Sequence, residues 1–211
     1  MVYTYPMKRI AVLSGSFNPP TLAHLLLMQH SLDMLDADKG IFLPASSEYV
    51  ERKMSLKGEK PMFNDKDRMA MLNLYKKEDP RIEVCDNEIK GIASSYYSYK
   101  SLCKLKEAYP DYELFFIIGE DNFKELDHWH NLEEFLTSLS FFVFERGDID
   151  THKVLQNSPL LSKYRDKFVF MPLLEDIAFI SSTKVRTMIK NGDGSYRDYL
   201  SPSVISYIES L

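Results

Sequence analysis

The chain is poor in cysteine, in long apolar runs and in positive charge, and each shortage excludes a class of protein. Its 211 residues include two thiols, Cys85 and Cys103. Two are too few for a disulfide scaffold, and they stand in no metal-ligand spacing. A reducing, cytoplasmic setting is therefore expected. No run approaches the ~20 apolar residues that span a bilayer. Met1–Pro6 lacks the apolar centre of a signal peptide, so no membrane role is expected. Lysine and arginine number 26 against 31 acidic residues, a net charge of −5. A general nucleic-acid binder would carry a basic surface instead. Cations for a phosphate ligand must then be gathered locally.

What remains is globular material. Hydrophobic residues make up 45% and charged residues 27%, which excludes disorder. The length suits one well-cored domain over residues 1–211. Apolar runs predict strands at Arg9–Leu13, Gly40–Leu43, Ile82–Val84, Leu114–Ile118, Ser140–Phe144 and Phe168–Met171. Between them, helices are expected at Leu22–Leu35, Asp65–Lys77, Tyr97–Tyr109, Asn122–Asp127, Leu132–Leu136 and Thr151–Lys163. Two more, Ser182–Asn191 and Pro202–Ser210, make a helical C-terminal part from about residue 180 to 211. Short, fully apolar strands alternating with helices imply an α/β fold, its parallel sheet covered on both faces. Ligands of such sheets bind at the carboxyl ends of the strands. Pro44–Asn64, with Lys53, Lys57 and Lys60, reads as one long loop, functional or mobile. No repeat or linker interrupts the chain.

Chemistry concentrates where strands end. Gly15-Ser16-Phe17-Asn18-Pro19-Pro20-Thr21-Leu22-Ala23-His24 joins the first strand to the first helix. A glycine turn before a helix start offers backbone N–H groups and a positive dipole end to a phosphate. Gly15 permits close backbone approach, and Thr21 can cap the helix or bind a phosphate oxygen. His24 falls on the first turn, where, protonated, it could hydrogen-bond an α-phosphate as charge builds. A lone capped histidine would ordinarily be a packing residue; the turn before it points to phosphate. The second cluster, Ile180-Ser181-Ser182-Thr183-Lys184-Val185-Arg186, gathers hydroxyls and two cations at another helix start. On a loop, His128 and His130 lack a third partner in metal-ligand spacing, so no protein-held metal is expected.

The first segment resembles the (H/T)-x-G-H signature of the nucleotidylyltransferase superfamily. Together with Ile180–Arg186, which matches I-S-S-T-x-[IV]-R, it resembles the nicotinate/nicotinamide mononucleotide adenylyltransferases. Phe116-Ile117-Ile118-Gly119-Glu120-Asp121-Asn122 is similar to that family's strand followed by G-x-D-N, and Trp129 to its pyridine-stacking tryptophan. Leu43-Pro44-Ala45, Lys53 and Arg68-Met69 resemble its strand, lysine and R-x-x-M region. The resemblance covers nearly the whole chain. It implies a Rossmann-like, doubly wound nucleotidyltransferase that transfers adenylyl from ATP to nicotinate or nicotinamide mononucleotide for NAD biosynthesis. Mg²⁺ would be held mainly by the ATP phosphates. The implied ATP contacts are Gly15, Ser16, Phe17, Thr21, His24, Gly119, Asp121, Ser181, Ser182, Thr183 and Arg186, with His24 and Arg186 catalytic. Asn18, Lys53, Ser98 and Trp129 would take the mononucleotide. A homo-oligomer is left open.

Three positions depart from the pattern. Thr21 and Ala23 replace the usual bacterial histidine and glycine. Lys100, in Tyr96–Leu102, stands where the family's S-Y-T-x-D-T-L has aspartate. Acid-versus-amide preference stays open here. A phosphopantetheine-type transferase and a nucleotide-binding module without catalysis are the rival readings.

Overall fold

Every strand expected from an apolar run is present, one or two residues longer at some ends. The computed structural model describes residues 7–91, 98–172 and 175–211, without the side chains of Ser98 and Glu175. Along the chain lie β1 (Lys8–Gly15), α1 (Leu22–Met34), β2 (Lys39–Pro44), α2 (Ser47–Ser55), α3 (Asp65–Leu74) and β3 (Ile82–Val84). Next come α4 (Ser98–Ala108), β4 (Tyr112–Gly119), α5 (Glu120–Lys124), α6 (Leu132–Ser138) and β5 (Ser140–Glu145). Then follow α7 (Thr151–Asn157), α8 (Pro159–Lys163), β6 (Phe168–Pro172), α9 (Glu175–Ala178), α10 (Ser182–Lys190) and α11 (Pro202–Glu209). The strands form a six-stranded sheet in the order β3-β2-β1-β4-β5-β6. All its neighbours pair in parallel.

Successive strand residues point to opposite faces, and both faces are buried. Ala11, Leu13, Phe42, Phe115, Ile117, Phe142 and Phe144 join one cluster, with Met28 and Leu32 of α1, Met71 of α3, Val185 of α10 and Val204 of α11. Their alternates Ile10, Val12, Ile41, Leu43, Leu114, Phe116, Ile118, Phe141 and Val143 join the other, with Leu102 of α4, Phe123 of α5, Phe135 of α6 and Leu161 of α8. Each fully buried Leu, Ile or Phe contributes about 1.5–3 kcal/mol, so two such clusters hold the layers on either face. The strand order reverses between β1 and β4, which opens a crevice at their carboxyl ends. Among the described residues, no helix is long and apolar enough to cross a membrane.

The structure corrects three expectations. The segment 44–64 is not one open loop, because α2 occupies its centre. Ser46 caps this helix by accepting the Tyr49 N–H at 3.3 Å, and Val50 and Met54 bury one narrow face. Two apolar residues one turn apart are a weak signal beside so many charges. The helix expected over Thr151–Lys163 breaks at Ser158, because Pro159 disfavours helical geometry before it. Ser158 then caps the new helix through the Leu161 N–H at 3.0 Å. The Asn122–Asp127 helix begins earlier, at Glu120, and gives way to a 3₁₀ turn over Leu126–His128.

Candidate active site

The crevice contains a cavity of about 690 Å³, within the usual range for small-molecule sites. From β1 and its loop it takes Gly15 and Ser16, and from α1 Ala23 and His24. Tyr49 and Lys53 come from α2, Gly119 and Asp121 from the end of β4, and His128, Trp129 and His130 from the turn before α6. Residues far apart in sequence thus meet where the strand order reverses. Gly15, Ser16, His24, Lys53, Gly119, Asp121 and Trp129, all expected from sequence, share this one cavity.

The loop after β1 is held from outside by its carbonyls. Arg68, 1% exposed, donates to the Ser16 carbonyl at 2.9 Å and to the Ala45 carbonyl at 2.8 Å, and it pairs with Asp65. Arg186 donates to the Asn18 carbonyl at 2.8 Å, the Ser182 hydroxyl to the Pro19 carbonyl at 2.7 Å, and the Tyr75 hydroxyl to the Thr21 carbonyl at 2.9 Å. None of these four donors lines the cavity, so the carbonyls they hold turn away from it. The negative ends of those peptide dipoles therefore leave the cavity, which favours an anion there. No acidic residue in the first turn of α1 or α10 offsets the positive helix end. The Ser16 hydroxyl is buried in the cavity wall without a hydrogen-bond partner among the described residues, a donor available to a ligand oxygen.

His24 differs from the protonated form expected. Its Nδ1 accepts the Thr21 N–H at 2.9 Å and lies 2.8 Å from the Thr21 hydroxyl. A backbone N–H can only donate, so Nδ1 carries no proton and Nε2 does. Burial pushes the imidazole down to about 4, because desolvation disfavours its cation. The Phe17 ring, 2% exposed, packs edge-on against it with centroids 5.1 Å apart. Gly15 makes room for that ring: a Cβ there would lie 3.1 Å from it. The protein thus presents a neutral Nε2–H donor.

Gly119 and Asp121 form the opposite wall. A Cβ on Gly119 would stand 2.5 Å from an Asp121 carboxylate oxygen, so only glycine lets that carboxylate fold back over the strand end. Burial, and then Lys57, lower the Lys53 ammonium below its ordinary range, while the Asp121 charge opposes them. Trp129 is half-buried, its ring 5.8 Å from Phe135 and 6.2 Å from Phe116 between centroids. The Ser158 hydroxyl, donating to Asp127 at 2.7 Å, anchors the turn that carries it.

Several expected ligand residues face elsewhere. Asn18, 1% exposed, accepts the Met62 and Phe63 N–H groups at 2.9 and 3.2 Å and donates to the Phe63 carbonyl. It ties the 62–63 backbone to the loop rather than facing the cavity. Thr21 fixes His24 from behind. Arg186, 6% exposed, is held by Glu59 at 2.6 Å, by the Asn18 carbonyl and by the Thr183 hydroxyl at 3.1 Å. Ser181 caps α10 by accepting the Lys184 N–H at 3.2 Å. Phe17, Ser181, Ser182, Thr183 and Arg186 are not among the residues that line the cavity. The Ser98 side chain and residues Tyr96 and Tyr97 lie outside the described residues.

Sequence reasoning missed Tyr49 and Arg146 in the lining, and Tyr75 and Arg68 as carbonyl clamps. Arg146 stands just past the carboxyl end of β5, the place where open α/β sheets bind ligands; that rule would have found it. Nothing in the local pattern marks Tyr75, whose hydroxyl crosses 54 positions to reach the loop.

A cytidylyltransferase-like family model matches residues 12–188. A Lactococcus lactis protein is 33% identical over 205 residues, spanning 96% of this chain and 93% of its own. A Clostridium botulinum protein is 32% identical over 184 residues, 86% of this chain and 87% of its own. Both are named probable nicotinate-nucleotide adenylyltransferases. This chain belongs to the nicotinate-nucleotide adenylyltransferase family. The fold of the family is seen also in the Plasmodium falciparum nicotinic acid mononucleotide adenylyltransferase complexed with APC. That structure superposes with a TM-score of 0.71 at 22% identity, covering 96% of this chain and 95% of its own.

Proposed function

We propose that the protein transfers the adenylyl group of ATP to nicotinate mononucleotide, giving the dinucleotide and pyrophosphate for NAD synthesis. The supporting observation is the joint lining of one cavity by the β1 loop, His24, Gly119, Asp121, Lys53 and Trp129. ATP lies with its phosphates at the start of α1 and its ribose on Asp121, a carboxylate suited to two hydroxyls. Trp129 stacks on the pyridine, and Lys53, Ser98 and Asn18 complete the mononucleotide side, Asn18 through the backbone it holds.

The 5′-phosphate of the mononucleotide attacks the α-phosphorus in line. The new P–O bond forms as the bond to the β-phosphate oxygen breaks, and pyrophosphate leaves with that electron pair. His24 donates its Nε2–H to an α-phosphate oxygen as charge builds there, and a fixed neutral donor needs no reorganisation to do so. Arg186 and the hydroxyls of Ser181, Ser182 and Thr183 back the phosphate side. To touch a phosphate, Arg186 gives up its pairing with Glu59. Mg²⁺ would be held mainly by the ATP phosphates. When bound there it neutralises charge on the leaving pyrophosphate. Positioning and charge stabilisation carry the reaction.

The test is pyrophosphate release from ATP and Mg²⁺ with nicotinate or nicotinamide mononucleotide in separate reactions. Release with the nicotinate form is expected. Silence with both, in protein that binds ATP, overturns the proposal.

A further inference from the structure

Glu120 is buried to 2% exposure between two residues of the site, Gly119 and Asp121, yet it does not line the cavity. One carboxylate oxygen accepts the N–H groups of Arg146 and Gly147 at 2.9 and 3.1 Å; the other accepts that of Asp148 at 3.1 Å. Three convergent backbone donors on one buried anion are strong, charge-assisted bonds. They are its hydrogen-bond partners among the described residues. Burying a carboxylate is costly unless it is hydrogen-bonded, and these three bonds tie the turn after β5 to the end of β4.

That turn carries Arg146. Gly119 pairs in register with Phe144, so Arg146, two residues on, emerges beside Gly119 and Asp121. Gly147, with φ +88°, reverses the chain there. The exposed guanidinium of Arg146 lines the cavity. A long side chain on an untethered turn would lose much rotamer freedom on meeting a ligand; a pinned backbone reduces that loss.

We propose that Glu120 is a positioning residue: its carboxylate holds the Arg146–Asp148 turn and so sets the Arg146 guanidinium against ATP bound beside Asp121. The proposal rests on the adenylyltransferase reading. It makes the buried acid a determinant of nucleotide affinity, although the acid never touches the nucleotide. Glutamine is nearly isosteric, but its NH₂ would face at least one of the three backbone donors.

The experiment is a double-mutant cycle of Glu120→Gln and Arg146→Ala, reading the ATP Kd by calorimetry and kcat and KM by pyrophosphate release. Glu120→Gln is expected to weaken ATP binding about tenfold, the scale of one charged hydrogen bond. KM for ATP should rise in step, with kcat within about twofold, the pattern of lost uniform binding. In the Arg146→Ala background, Glu120→Gln should cost nothing further in Kd. An unchanged Kd in Glu120→Gln, or an equal loss in both backgrounds, overturns the proposal. Where Glu120→Gln fails to fold, Gly147→Val displaces the same turn and should give the same loss; an ATP affinity equal to wild type there also overturns it. Calorimetry needs no acceptor, so failure of the transfer reaction in the wild-type protein would be recognised separately.

Discussion

Replacing His24 by alanine tests two claims made by its geometry, one catalytic and one thermodynamic. Removing the Nε2–H donor takes away a preorganised contact to the α-phosphate, and single donors of that kind contribute about 10²–10³ in kcat. The fold should survive. The variant strands one Thr21 N–H and removes an edge-on contact with Phe17, about 1–3 kcal/mol together. The thermodynamic claim follows from protonation. The folded imidazole titrates at about 4 against an ordinary 6.5. Between those values the unfolded chain binds the extra proton, so stability rises with pH. The contribution is complete above pH 6.5 and is lost as pH falls toward the folded value. At pH 5 the deficit relative to pH 8 is about 2 kcal/mol. Urea titrations of wild type and His24→Ala at both pH values read it directly. The wild type should lose about 2 kcal/mol more than the variant on going to pH 5. Equal losses would show that His24 is not held neutral by burial. A kcat within threefold of wild type would remove it from the chemistry.

Three further outcomes are expected. Gly119→Ala places a methyl group 2.5 Å from the Asp121 carboxylate; KM for ATP should rise about tenfold or more as that carboxylate is pushed off the ribose. Unchanged KM would remove Asp121 from ribose binding. Trp129→Ala should raise KM for the mononucleotide by about 1–2 kcal/mol of lost stacking while leaving the ATP Kd near wild type; the reverse pattern would place the pyridine elsewhere. Arg68→Met removes donors from the Ser16 and Ala45 carbonyls and strands Asp65. A loss of about 2–4 kcal/mol by urea denaturation is expected, and less than 1 kcal/mol would refute the clamp.

The strands were legible because each is a short, wholly apolar run, and a strand covered on both faces carries its burial in composition alone. Helices were legible where the apolar stripe was wide, as in α1. They failed where it narrowed to Val50 and Met54, or where Pro159 broke an otherwise helical pattern. The site was legible where backbone chemistry demands particular residues. Gly15 stands beside the Phe17 ring and Gly119 beneath the Asp121 carboxylate, and His24 sits one turn into a helix. Such local constraints are written in adjacent letters.

Direction was not. Asn18, Ser182 and Arg186 read as ligand residues, yet they support the loop from behind, because only packing decides which side of a wall a polar group occupies. Tyr75, Arg68 and Glu120 act on backbone groups 23 or more positions away, and no spacing encodes such pairs. The sequence by itself determined the parallel sheet, the two glycine turns and the family, all of which rest on local pattern. Tertiary structure alone decided that His24 is neutral and that the carbonyls of the β1 loop face away from the cavity. Burial and hydrogen-bond direction are properties of a closed surface, and they exist only once distant segments have met.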